Sequence, residues 1–426
     1  MGAASGAVTE RLDNGCRVVT EVVDGARSAS LGVFVAVGSR HEPAAVAGSS
    51  HFLEHLLFKG TDRLDAVTIA ESLDRVGGQS NAFTAREQTC FWIRLLGEDI
   101  AVGLSILGEI VSDPALRDAD VSAERTVIED EILGAHDDPG SVAAERFFEL
   151  VFPGHPLGRD PLGTLETVRR IKPDDVQRFF ASHYGPGNLV VAAAGDVDHA
   201  AVVKAVAMWP TRAGAARDDG AAPVPAHAHR EVLHAPTEQS QVVIGVRIPP
   251  RSDPSRDAYR VYDQLLGGGL SSRLFTSIRE RHGLAYQVYS ERAQFTDAGC
   301  LCVAAGTAPE HIDRVVDLVG IEVDDLAGGG ATAREVDIAR QSLRADALLA
   351  VEDSSHVMSR IGGALVVDEP VRTLDETLER IASVTLADVE RVAQHVAASP
   401  RTLVIVGPFD DAASGARLEG PGWRGA

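Results

Sequence analysis

The feature that most constrains this chain is a repeat. The segment IKPDDVQRFFASHYGPGNLVVAAAG, starting at Ile171, resembles VTLADVERVAQHVAASPRTLVIVG, starting at Val384. Each reads as a helix opened by DDV or ADV, then an apolar strand ending at Gly195 or Gly407. The offset is 384 − 171 = 213 residues. Two copies of that length imply two similar domains rather than a solenoid, which needs three or more short repeats. Length agrees, because 426 residues exceed one ordinary core and suit two domains of about 200 residues each. Between the copies, TRAGAARDDGAAPVPAHA at 211–228 is small, polar and proline-bearing, as linkers are. The expected organisation is a first domain over 7–210, a linker over 211–228 and a second domain over 229–412.

Local signals fill in the first half. TERLDNGCRVVTEV predicts two strands around an Asn14-Gly15 turn, since that dipeptide accepts the positive φ of a tight hairpin. SLGVFVAVG alternates as a strand, SNAFTA and TCFWIRLL read as further strands, and NLVVAAAG reads as a short buried one. GSSHFLEHLLFKG predicts a helix with Ser49 or Ser50 as its cap and Gly60 as its stop. DAVTIAESLDRVGG predicts another, stopped at Gly77 and Gly78. In the second half SSRLFTSIRERHG predicts a helix with Ser271 as its cap, and LAYQVYS an alternating strand. The GGG at 267–269 is not a phosphate loop, because no GK[ST] follows.

Composition excludes several classes of partner. A formal charge of −22 argues against nucleic acid and anionic membranes, both of which require basic surfaces, and favours basic peptides if anything. No apolar run approaches the roughly 20 residues of a membrane span. The opening MGAASGAVTERLDNG carries no signal or transit pattern, and Gly6 stands where myristoylation needs Ser or Thr. Cys16, Cys90, Cys300 and Cys302 form no CxxC pair and read as reduced thiols of a cytoplasmic protein. Lys59, Lys172 and Lys204 are the only lysines, so arginine supplies 40 − 3 = 37 of the basic residues, a bias that suggests a GC-rich bacterial genome.

Within GSSHFLEHLLFKGTD, His51, Glu54 and His55 are spaced as HxxEH. At about 100° per residue, His51 and His55 sit about 40° apart, one turn above the other, and can grip one ion. Glu54 lies about 60° to the side of His51, placed to handle a water rather than to ligate. Two neutral imidazoles with a carboxylate base are the inverted form of the zincin helix. Zinc catalysis also needs a third protein ligand. AERTVIEDEILGAHDDP offers the best candidates: Val127, Ile128 and Ile132 recur at helical spacing, with Glu124 and Glu131 two turns apart on one face. Glu131 is the candidate ligand and Glu124 a supporting carboxylate. A helix with histidines on an amphipathic face also has a purely structural reading. Moving the motif by the repeat offset lands near QLLGGGLSS, which has no histidine or carboxylate, so at most one such site per chain is expected.

In its setting, GSRHEP from Gly38, HFLEHLLFKGT from His51 and NAFTAREQT from Asn81, the motif resembles the pitrilysin and insulinase family of inverted-motif zinc peptidases, closest to its processing-peptidase-like branch. That family carries its third ligand 76 residues beyond the second histidine, and here 131 − 55 = 76. It carries another glutamate seven residues earlier, the position of Glu124. The resemblance therefore implies one zinc per chain on His51, His55 and Glu131, Glu54 as general base and Glu124 assisting. LGGGLSSRLFTSIRERHGLAYQVYS, from Leu266, is similar to a family segment whose arginine and tyrosine contact substrate, implying those roles for Arg279 and Tyr286. NAFTA resembles the sheet edge on which the family lays its substrate as an added strand, implying Asn81 and Ala82 as edge contacts.

The implied fold is α+β: two homologous domains, each a mostly antiparallel sheet flanked by helices. The implied activity is cleavage of unfolded peptides or precursor segments inside a clamshell chamber. A homodimer is the economical assembly, a hetero-pair with a paralogue the other. Rival readings are a noncatalytic peptide-binding or core subunit of the same fold, and a dedicated maturase for one precursor.

Overall fold

The computed structural model describes residues 6–210, 214, 217, 220 and 223–409. Turn chemistry and alternation build its first sheet. Strands β1 (Val8–Arg11) and β2 (Arg17–Val22) pair antiparallel about a turn in which Gly15 takes φ 94°. With β3 (Ser28–Val35), β4 (Gln79–Thr84), β5 (Thr89–Leu96) and β6 (Leu189–Gly195) they form six strands in the order β1-β2-β6-β3-β5-β4. Only the β2–β6 pair is parallel. The second sheet comprises β7 (His229–His234), β8 (Ser240–Ile248), β9 (Ala285–Gln294), β10 (Gly299–Thr307) and β11 (Arg401–Gly407), in the order β7-β11-β8-β10-β9. Its one parallel pair is β7–β11. The path β2-β6-β3-β5-β4 thus recurs as β7-β11-β8-β10-β9, strand for strand and sense for sense. The repeat is one of topology, and the α+β class with two like domains holds. At the strand ends the offset is 407 − 195 = 212, one less than at the helix starts, the difference falling between helix and strand.

The two units are not the contiguous halves expected from the linker. One comprises Met1–Ile132, Arg159–Gly220 and Leu348–Leu374; the other Leu133–Gly158, Ala221–Ala347 and the chain from Asp375. The segments that change places carry one helix each. Helix Ser354–Val366 lays Val357, Met358, Ile361 and Val366 against Phe34, Val190, Ala192 and Ala194 of the first sheet. Helix Pro139–Val151 lays Ala143, Phe147 and Val151 against Val243, Val404 and Val406 of the second. Own-half helices cover the other face of each sheet. Strands buried on both faces have no polar side to show, which is why LVVAAAG and LVIVG are apolar at every position. Gly362 permits the close approach, since a Cβ there would run into the ring of Phe34. The segment 211–228 lies partly outside the described residues and 410–412 wholly so; the described residues of 211–228 form neither helix nor strand. No helix among the described residues is long and apolar enough to cross a membrane.

Candidate metal centre

The motif helix, Ser49–Leu57, is fixed by the side opposite its histidines. Phe52, Leu53, Leu56 and Leu57 are each at most 1% exposed. Burial of such side chains contributes roughly 1.5–3 kcal/mol apiece. Neither serine caps the helix as expected. Gly48, at φ 97°, starts it, and Ser49 Oγ donates backwards to the Val46 carbonyl (2.6 Å). The cap comes from the preceding loop: the Glu42 carboxylate accepts N–H bonds from Gly48 and Ser50, both 2.6 Å. A left-handed Gly48 turns these donors inward, where only a buried acceptor can reach them.

Burial pushes the Glu42 carboxyl up to about 7, against the pull of the Ser50 and Gly48 N–H groups. Glu42→Ala is expected to cost about 1–3 kcal/mol, because buried donors lose their acceptor, read as a lower urea midpoint. The pH sign follows from a native value above the ordinary 4.5. The folded protein holds a proton that the unfolded chain releases, so this contribution is complete below 4.5 and lost as pH rises through 7. Glu42→Gln should lack that slope, checked by midpoints measured on either side of the window.

The helix Asp118–Asp137 brings up the second half of the site. Val121, Glu124, Ile128 and Ile132 form its buried stripe, while Val127, read from spacing as part of it, is exposed. Glu131 Oε2 lies 3.5 Å from Nε2 of His51 and 3.5 Å from Nε2 of His55. Among the described residues, these three form the one group of at least three His, Cys, Asp or Glu able to hold a metal ion. Bonds of about 2.1 Å in a tetrahedral site place ligand atoms about 3.4 Å apart, so the donor set has the span of a zinc site. At 3.5 Å the atoms are too far apart to hydrogen-bond well to one another. Burial, and then the neighbouring His55, lower the His51 ring to about 4, so it is the neutral imidazole a metal requires. Its Nδ1 is buried without a protein partner. The residues present therefore fit zinc.

Around these ligands stand two further carboxylates. Glu124 is 4% exposed and its Oε2 lies 3.1 Å from His55 Nδ1. This contact leaves His55 Nε2 for the ion. Its Oε1 lies 2.5 Å from the ammonium of Lys59. Glu54 Oε2 accepts a hydrogen bond from Thr84 Oγ1 (2.6 Å), at the end of β4. Burial raises the Glu54 carboxyl above the usual range, Thr84 and His55 pull it back, and Glu131 adds to the rise. A carboxylate raised in this way suits a general base. Thr84 and Lys59 were not singled out from sequence. The signals were present: Thr84 closes the NAFT strand, and Lys59 is one of only three lysines, four residues beyond His55.

Asn81 and Ala82 lie on β4, the terminal strand of its sheet, opposite Trp92 and Phe91 of β5. The Ala82 N–H donates to Asn81 Oδ1 (2.8 Å). Arg279 and Tyr286 belong to the second unit and come together there. The Arg279 guanidinium lies 4.7 Å from the Phe275 ring centroid and 4.8 Å from that of Tyr286. Residues Phe275–Arg281 are wound as a π-helix, a form frequent at functional sites, and Tyr286 is 80% exposed near the start of β9. Ser272, not Ser271, caps this turn, accepting from the Phe275 N–H at 3.4 Å. The topological counterpart of the motif helix, Arg256–Leu266, carries no histidine.

Comparison with known proteins agrees with this architecture. Residues 17–165 match the family described as "Insulinase (Peptidase family M16)", and 170–343 match "Peptidase M16 inactive domain". An uncharacterized zinc protease of Streptomyces coelicolor is 39% identical over 409 residues, covering 94% of this chain and 89% of the relative. One of Bacillus subtilis is 30% identical over 396 residues, covering 93% and 97%. The crystal structure of a protease from Helicobacter pylori superposes with a TM-score of 0.90 at 24% identity, covering 95% of this chain and 100% of that one. At that identity the likeness speaks for the fold alone. Family profiles across both halves and relatives aligned almost end to end lead to one conclusion: the chain belongs to the insulinase family of peptidases, family M16, as a short two-domain member.

Proposed function

We propose that this protein is a zinc-dependent endopeptidase acting on extended peptides. One observation carries the reading: Glu131 Oε2 stands 3.5 Å from Nε2 of both His51 and His55, with the raised carboxyl of Glu54 on the same helix. When bound, zinc supplies Lewis acidity, lowering the pKa of water in its open position toward about 7 and stabilising negative charge on a carbonyl oxygen. Glu54 accepts the proton of the attacking water and returns it to the leaving amine. Thr84 holds one carboxylate oxygen and leaves the other for this task. Glu124 orients His55 through Nδ1.

The peptide is proposed to add to β4 as a further strand, exchanging the Asn81 side-chain contact at the Ala82 N–H for its own backbone acceptor. Main-chain pairing gives affinity with loose sequence demand, and the net charge of −22 favours basic substrates. Arg279 and Tyr286 are assigned to substrate carbonyls by the family resemblance, which also supports a pair of like chains enclosing a chamber. A cytoplasmic, bacterial setting fits the cysteine and lysine usage and the bacterial relatives.

Metal removal tests the reading. Protein stripped with a chelator is expected to lose cleavage of an unstructured fluorogenic peptide and to regain it at one zinc per chain. Full cleavage by metal-free protein rejects it.

A further inference from the structure

Resting on the zinc-peptidase reading, we propose that Lys59 is a positioning residue of the metal centre, holding Glu124 so that Glu124 can hold His55. Lys59 lies just past the motif helix, its N–H donating to the Leu56 carbonyl at 3.0 Å. That bond fixes the direction in which its side chain leaves the backbone. The ammonium reaches Glu124 Oε1 at 2.5 Å, while Glu124 Oε2 lies 3.1 Å from His55 Nδ1. The far ring nitrogen of His55 then faces Glu131 at 3.5 Å. Four side chains from two segments are therefore linked in the order Lys59, Glu124, His55, Glu131.

Burial explains why the first link matters to the others. The Glu124 side chain is 6% exposed and Lys59 is 39% exposed, so Lys59 brings a charge from the solvent side to a carboxylate that water hardly reaches. A buried carboxylate stripped of its cation is costly. Swinging outward toward water relieves that cost but gives up the Nδ1–H of His55. The imidazole is then free to turn, and the metal loses a ligand held in place. The plainer role for Lys59 is a favourable cation at a helix C-terminus. That role affects helix stability with or without metal and does not depend on Glu124.

The test measures zinc affinity of the full chain by competition with a chromophoric chelator, beside melting of the zinc-free protein. Lys59→Met is expected to weaken zinc binding about 10–100-fold, the usual loss when a partner behind a ligand is removed. Lys59→Arg should recover most of it, because the charge is kept. On a Glu124→Gln background Lys59→Met should add less than about twofold, since residues acting through one another are not additive. Unchanged affinity in Lys59→Met, equal losses on both backgrounds, or a Lys59→Arg protein no better than Lys59→Met would each overturn the proposal. Should Lys59→Met not fold, Lys59→Gln serves in the same comparisons. Wild-type protein that takes up no zinc overturns both this proposal and the peptidase reading. Undiminished affinity in Lys59→Met, beside a zinc-loaded but inactive Glu54→Gln, overturns this one alone.

Discussion

Zinc-loaded Glu54→Gln protein is expected to hydrolyse peptide about 10²–10⁴-fold more slowly than wild type, the range for loss of a general base, while keeping one zinc per chain. The two properties separate because of where Glu54 sits. It shares a helix with His51 and His55 but is not among the residues whose atoms converge as ligands. Glutamine has nearly the same shape, and its amide oxygen can still accept from Thr84 Oγ1, so the helix and β4 stay as they are. It cannot take a proton from water. The loss should appear in kcat and kcat/KM alike, since the interaction removed exists only in the transition state. Equal rates for the two proteins would remove Glu54 from the mechanism. Two inactive proteins that both hold stoichiometric zinc and both bind peptide would favour a noncatalytic peptide-binding subunit.

The second large effect is the loss of zinc-dependent stability in Glu131→Ala. A ligand that binds only the folded chain stabilises it by about 2.7 kcal/mol at a hundred times its dissociation constant. Zinc held by this set would join two segments, His51 and His55 from one helix and Glu131 from another 76 residues on (131 − 55 = 76). Without Glu131 the pair on one helix remains, a weaker and open site, and the same zinc concentration should raise the melting temperature little. The Glu131 side chain is 46% exposed, so its removal should move the metal-free stability by no more than about 0.5 kcal/mol. A Glu131→Ala protein that gains as much from zinc as wild type would place the third ligand elsewhere.

Much of this was legible in the text of the chain, unevenly. The Asn14-Gly15 hairpin, the strand SNAFTA and the helix stopped at Gly77 lie within a residue or two of their expected places, because each is specified by neighbours in sequence. The cap of the motif helix departs from local expectation because its acceptor is not a neighbour in sequence. Ser49 and Ser50 are the local candidates, but the acceptor is Glu42, folded back from a loop that no capping rule inspects. Val127 has helical spacing to Ile128 and Ile132 yet faces solvent, since periodicity gives a stripe but not its edge. Helical spacing puts Glu124 and Glu131 on one face, with Glu131 the candidate ligand, and the family resemblance adds the 76-residue spacing from His55. Periodicity alone does not say which distant helix approaches.

By itself the sequence determined what depends on short-range geometry and on repetition: that His51 and His55 share a helix face, that NLVVAAAG is a buried strand, and that the chain carries one fold twice. Tertiary structure alone decided that helices 139–151 and 354–366 cover the sheets of the opposite halves, that Glu131 meets both imidazoles, and that Thr84 and Lys59 reach the carboxylates of Glu54 and Glu124. The reason is physical. Backbone dihedrals and side-chain periodicity act over a few residues, whereas these contacts close loops of 30 residues or more and form only when separate elements pack into one core.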